Sequence, residues 1–183
     1  MFFFDLLFGN KKNTSPPARE TAIVNAPAAV SEDRLASAPG TSIHHDAELI
    51  VTLKEDHGRL LRVFHEIAAA SQAQDLMKVQ SWLKHFRTLI QDHLLKENVR
   101  LYVYLEHLLE NDATSHALMH GFRHEMDDIG RAVVGFLEKY KEIGQHPELA
   151  RPFSTDLAAI GEALVARIKR EEEILYPMYS APS

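Results

Sequence analysis

Between residues 46 and 178, apolar side chains recur at helical spacing in four long stretches. The spacing alternates between three and four residues, which places these side chains on one face of a helix. Helices are expected near residues 46–70, 75–109, 114–143 and 154–176. Four amphipathic helices with short connections bury their apolar faces best against one another. The sequence therefore predicts an all-α fold, an antiparallel up-down-up-down four-helix bundle with a flexible N-terminal tail.

The N-terminal part of the chain lacks this pattern and divides in two. Residues 1–12 are mostly apolar, whereas residues 13–45 are rich in proline, alanine, serine and threonine, as is typical of a flexible linker. We thus expect a docking segment at 1–12, a linker at 13–45 and a bundle at 46–180. Either the docking segment binds a membrane surface or a protein partner, or it folds back on the bundle. The side chains expected to make the docking contact are Phe2, Phe3, Phe4, Leu6, Leu7 and Phe8.

Composition excludes several classes of function. With 20 basic and 26 acidic residues, the net charge is -6, so nucleic acid is not an expected partner. The absence of cysteine rules out disulfides, thiolate metal ligands and thiol catalysis, while 11 histidines remain. The apolar start is too short to span a bilayer and lacks a cleavage site. We expect no transmembrane segment and a cytoplasmic protein, peripheral to the membrane if the docking segment binds lipid.

His93 and Glu97 interrupt the apolar face of the second predicted helix, four residues apart. A buried carboxylate is costly unless it is paired, hydrogen-bonded or bound to a metal, so partners from other helices are expected. His57 lies on the apolar face of the first helix and Glu171 on that of the fourth. At a rise of about 1.5 Å per residue, the four side chains can meet inside the bundle.

Three segments of the sequence resemble the hemerythrin-like, or HHE cation-binding, family. They are LKEDHGRL around His57, LIQDHLLKENVRLYVYL around His93 and Glu97, and RIKREEEILYPMY in the last helix. The resemblance covers roughly residues 46–178 and implies a four-helix bundle that holds a non-haem di-iron centre. It also implies that His57, His93 and Glu97 are iron ligands and that Glu171 supplies the carboxylate of the last helix.

The last helix departs from the family pattern at Arg167, which stands where the family has a histidine, four residues before Glu171. Arginine stays protonated and offers only hydrogen-bond donors, so it cannot bind a metal. Two alternatives follow. Either a single metal binds the four remaining donors, or Arg167 replaces the metal by pairing with both Glu97 and Glu171. Iron is thus expected as a mono- or di-iron centre in a degenerate site, or not at all.

The third helix departs as well, because Phe122 and Met126 occupy the inward positions where the family has histidines. His120 and His124 keep the four-residue spacing, but they are displaced by two residues, or about 200°, from the apolar face. They are expected to face solvent. A register shift that turned them inward would have to expose Met126 and Ile129.

These observations favour a non-enzymatic regulatory or adaptor protein, in which a hemerythrin-like bundle is tethered through residues 1–12 to a protein partner or membrane. The alternative is a protein that binds or senses iron or oxygen through a reduced His/Glu site. A di-iron oxidase is a third possibility that the sequence disfavours, because it needs two metals and an open coordination position.

Overall fold

Four long helices account for most of residues 43–180, the part of the chain that this computed structural model describes. They are built from five α-helical segments, which are α1 (Leu49–Gln72), α2 (Leu76–Lys96), α3 (Val103–Leu108), α4 (Ala113–Lys139) and α5 (Ala150–Arg170). A π-helical segment, Glu97–Tyr102, joins α2 and α3 into one long helix, and a second, Glu171–Leu175, continues α5.

The helices pack as the predicted antiparallel bundle. Helix α1 contacts α2 and α5, while α4 contacts α3 and α5. The all-α four-helix fold is thereby confirmed. No helix within residues 43–180 is long and apolar enough to cross a membrane.

Side-chain caps start two of the helices. The Asp75 carboxylate accepts a hydrogen bond from the Lys78 backbone N–H at 3.0 Å, and α2 begins directly after Asp75, at Leu76. Asp112 accepts bonds from the N–H groups of Thr114 and Ser115, both at 3.1 Å, and starts α4. These caps satisfy backbone donors that have no partner within the helix, which makes the short connections possible.

The last long helix begins at Ala150, four residues before the Ser154 start that the sequence suggested. Pro152 is compatible with this earlier start because the first turn of a helix leaves its N–H groups unpaired, so a missing N–H costs nothing there. A short 3-10 turn at Pro147–Leu149 leads into the helix.

The register of α4 decides which of its side chains face the centre of the bundle. Phe122 and Met126 are buried, whereas His120 and His124 lie outside, with side chains 49% and 78% exposed. The register that would have turned these histidines inward is therefore not adopted.

The predicted docking segment lies outside the described residues, as does the linker up to residue 42. The docking side chains concerned are Phe2, Phe3, Phe4, Leu6, Leu7 and Phe8.

Candidate metal centre

Two histidines and two glutamates from three helical stretches meet inside the bundle. His57 comes from α1, His93 from α2, and Glu97 and Glu171 from the two π-helical segments. All four side chains are buried, with between 0% and 3% of each residue exposed. One donor atom of each residue lies within 4.8 Å of the donor atoms of the other three. The structure thus brings together all four candidate ligands.

Both carboxylates stand at the first residue of a π-helical segment. Such segments are rare and occur mostly as single turns inside α-helices, often at functional sites. No periodic pattern in the sequence indicates these segments, because the apolar pattern before each glutamate is that of an ordinary helix.

His57 is held from both sides of its ring. Its Nδ1 donates to Glu172 at 2.8 Å, and its Nε2 lies 3.1 Å from Glu171 Oε2 and 3.2 Å from the hydroxyl of Tyr176. That hydroxyl donates to Glu97 Oε1 at 3.0 Å. A carboxylate on Nδ1 orients the ring and directs Nε2 at the other donors, as for metal-binding histidines.

Sequence reasoning missed Glu172 and Tyr176 as parts of the centre. Glu172 belongs to a run of charged residues that is typical of a solvated face, yet its side chain is only 33% exposed and contacts His57. Tyr176 follows Glu171 by five residues, which is one turn of a π-helix rather than an α-helix. The π-helical segment therefore explains why helical spacing did not reveal it.

Arg167 is buried beside the four donors, and three partners fix its guanidinium. Its Nε donates to Glu171 Oε1, Nη1 to the Phe122 carbonyl at 2.9 Å, and Nη2 to the Tyr102 hydroxyl at 2.8 Å. The guanidinium also lies 5.1 Å from the centre of the Phe122 ring. The structure pairs Arg167 with Glu171 but gives no bond to Glu97 within residues 43–180, because the carbonyl and the hydroxyl hold the two Nη atoms.

A comparison with family models identifies the family of this chain. The model described as "Hemerythrin HHE cation binding domain" matches residues 48–179, which include all four donors. The chain belongs to the hemerythrin family. Neither curated proteins nor solved structures gave a match.

The donors of this hemerythrin centre fit one metal ion. Glu97 Oε2 is buried and has no hydrogen-bond partner among the described residues, and His93 Nε2 lies 3.8 Å from it. A buried polar atom without a partner destabilises the fold, and a cation between these donors would remove that cost. Imidazole and carboxylate together suit iron, and two carboxylates balance the charge of a divalent ion.

The same centre does not fit a second metal. At the positions where the resemblance led us to expect further histidines, this chain has Phe122 and Met126 on α4 and Arg167 on α5. None of these three side chains is a donor of the kind a di-iron centre uses. The fixed positive charge of Arg167 also opposes a second cation.

His57 and Glu171 form a charged pair. Burial disfavours the charged form of each, but the contacts between them outweigh it. The pKa of His57 is raised by its hydrogen bonds to Glu171 and Glu172. The pKa of Glu171 is lowered by the bond to His57 and by the charge of Arg167.

The pKa values of Glu97 and His93 shift in the directions that favour their neutral forms. Burial and the negative charge of Glu171 raise the pKa of Glu97 well above its ordinary value, although Arg167 opposes this. Burial and the charge of His57 lower the pKa of His93 to about 4. The neutral imidazole of His93 is ready to bind a cation, whereas the Glu97 carboxyl and the protonated His57 must each first release a proton, so metal binding is coupled to proton release.

We expect His93 to make the chelator-treated protein less stable in acid. Because its pKa falls from 6.5 to about 4 on folding, the unfolded chain binds the proton first. The stability is complete above pH 6.5 and is lost as the pH falls through about 4, a change of about 3 kcal/mol. His57, with its raised pKa, acts in the opposite direction.

Urea unfolding of the wild type and of His93→Gln at about pH 7 and about pH 4 isolates the His93 contribution. The wild type should lose more free energy of unfolding than the variant. His85→Gln, an exposed histidine on the same helix, serves as the control and should behave as the wild type. An equal loss in His93→Gln and the wild type would contradict the prediction.

A small apolar cavity adjoins the four donors. Its volume is about 40 Å³, enough for one or two molecules of the size of water or oxygen. Apart from the donors, its lining includes Leu60, Phe64, Phe86, Ile90, Met126, Val133 and Leu164.

Proposed function

We propose that this protein is a non-enzymatic, hemerythrin-like protein that binds a single iron ion and senses iron or oxygen through it. The observation that carries the proposal is the buried Glu97 Oε2, which has no hydrogen-bond partner among the described residues and lies 3.8 Å from His93 Nε2, beside His57 and Glu171. Bound iron would supply a redox-active, Lewis-acidic coordination position next to the apolar cavity.

The surrounding side chains support binding to one ion. Glu172 orients His57, and Tyr176 holds Glu97 by a hydrogen bond to its other oxygen. Arg167 supplies a permanent positive charge on the far side of Glu171. This arrangement favours sensing or storage over two-metal oxidase chemistry, which needs a second metal ion.

The proposal is tested by elemental analysis of full-length protein purified from iron-supplemented medium. We expect about one iron per chain in the wild type, and a loss of at least about tenfold in the iron affinity of His93→Ala, because an inner donor matters no less than the outer partners of metal ligands. His85→Ala, an exposed histidine on the same helix, is the matched control and should retain the iron.

Two results would overturn the proposal. One is a wild-type protein that stays free of iron even after anaerobic addition of Fe²⁺, which would favour a bundle held together by the ion pairs of Arg167. The other is equal iron content in the wild type and His93→Ala, which would place the iron elsewhere.

The adaptor role predicted from residues 1–12 stays a prediction. Its support is the apolar composition of that segment and the linker-like composition of residues 13–45. Tethering and sensing are compatible, since a bundle that binds iron can also be attached to a partner.

A further inference from the structure

Glu106, His116 and His120 form a second group of donors, where α3 leads into α4. His116 and His120 are four residues apart and share one face of α4, with ring centres 4.5 Å apart. Their Nε2 atoms lie 3.0 Å and 3.3 Å from the same oxygen, Glu106 Oε1. One donor atom from each of the three residues falls within 4.8 Å of the other two.

These distances are close to those of a metal site. Zinc bound tetrahedrally by imidazole and carboxylate has bonds of about 2.0–2.2 Å, which separates neighbouring donors by roughly 3.3 Å. The two histidine–glutamate separations already lie near this value. Only small side-chain rotations are needed to open the group around an ion. We infer that Glu106, His116 and His120 bind a divalent transition-metal ion such as Zn²⁺.

The surroundings of Glu106 support this assignment. Its second oxygen, Oε2, is buried and accepts no hydrogen bond within residues 43–180, while Arg123 Nη1 lies 3.8 Å from it. Arg123 can therefore orient the carboxylate through Oε2 while Oε1 binds the ion, as outer partners of metal ligands do. Both histidine side chains are partly exposed, so solvent can supply a fourth ligand.

This group is separate from the buried centre. Glu106 follows Glu97 by nine residues along the same long helix, a distance of about 10 Å or more. None of its residues takes part in the contacts of His57, His93 or Glu171. Zinc binding at this group therefore does not depend on iron binding at the buried centre.

A Zn²⁺ titration of chelator-treated, full-length protein against a chromophoric chelator tests the inference. We expect the wild type to bind one Zn²⁺ equivalent more than the double variant His116→Ala/His120→Ala. Glu106→Gln should weaken the affinity of this site at least about tenfold, a loss that even outer partners of metal ligands produce. His93→Ala, which alters the buried centre, should keep the equivalent assigned to this group.

His124→Ala is the matched control, because His124 is the next histidine on the same face of α4, at the same spacing of four residues, and is 78% exposed. It should bind as much Zn²⁺ as the wild type. Should the double variant fail to fold, His120→Ala alone, at a half-exposed position, gives the same test through its affinity. Equal Zn²⁺ binding by the wild type, Glu106→Gln and the histidine variants would overturn the inference, as would an equal loss in His124→Ala.

Discussion

Replacing Arg167 with methionine should lower the free energy of unfolding of the chelator-treated protein by about 3 kcal/mol. The guanidinium is only 6% exposed and neutralises Glu171 in the interior. Its removal leaves a buried carboxylate with His57 as its remaining partner, and deprives the Phe122 carbonyl and Tyr102 hydroxyl of their donor. The effect stands at the lower end of the range for a broken buried ion pair because His57 still contacts Glu171. Urea unfolding followed by circular dichroism measures it.

Arg170→Met provides a close control for Arg167→Met. Both guanidinium groups lie over the Phe122 ring, at 5.1 Å and 4.9 Å, and both contact Glu125. Arg170, however, is 45% exposed, so its ion pair should contribute less than about 1 kcal/mol. Equal effects of the two substitutions would show that Arg167 acts through ring contact and surface charge rather than through Glu171.

Substituting the two glutamates of the centre should have the same effect on iron binding and unequal effects on stability. Glu171→Gln should cost about 3 kcal/mol in the chelator-treated protein, because it leaves Arg167 and charged His57 buried without their carboxylate. Glu97→Gln should cost less than about 1.5 kcal/mol, since burial already keeps the Glu97 carboxyl neutral. Both variants should lose iron, because each removes a carboxyl group that would bind the ion as a carboxylate.

Paired measurements of iron content and unfolding on these two variants separate binding from folding. A Glu97→Gln variant that is as unstable as Glu171→Gln would mean that the Glu97 carboxyl is charged in the folded protein. Retention of iron by Glu97→Gln would remove Glu97 from the ligand set while leaving the stability argument for Glu171 in place.

The fold could be predicted from the sequence because helical periodicity is a local property. The apolar residues of α4 set its register, and Phe122 and Met126 are buried as that periodicity required. His57, His93 and Glu97 could be placed on inward faces by the same reasoning, since each sits in an α-helical stretch or at its end.

The pairing of Arg167 with Glu171, four residues apart, could be predicted, but the other partners within the centre could not, because they depend on contacts between distant parts of the chain. Arg167 reaches a carbonyl 45 residues away and a hydroxyl 65 residues away, and no spacing rule reports such pairs. The charged neighbours of Glu172 in the sequence are typical of a solvated face, yet packing of α1 against the end of α5 brings His57 to it.

The π-helical segments at Glu97–Tyr102 and Glu171–Leu175 also affect how this chain can be aligned with other members of its family. A π turn amounts to one inserted residue, which rotates everything after it by about 100° relative to a regular helix. Alignment with a relative that is α-helical throughout therefore needs a one-residue gap near each glutamate. Without the gap near Glu171, for example, the exposed Ile174 would be paired with the core position that Leu175 occupies, and the interior would be assigned wrongly from there to the end of the helix.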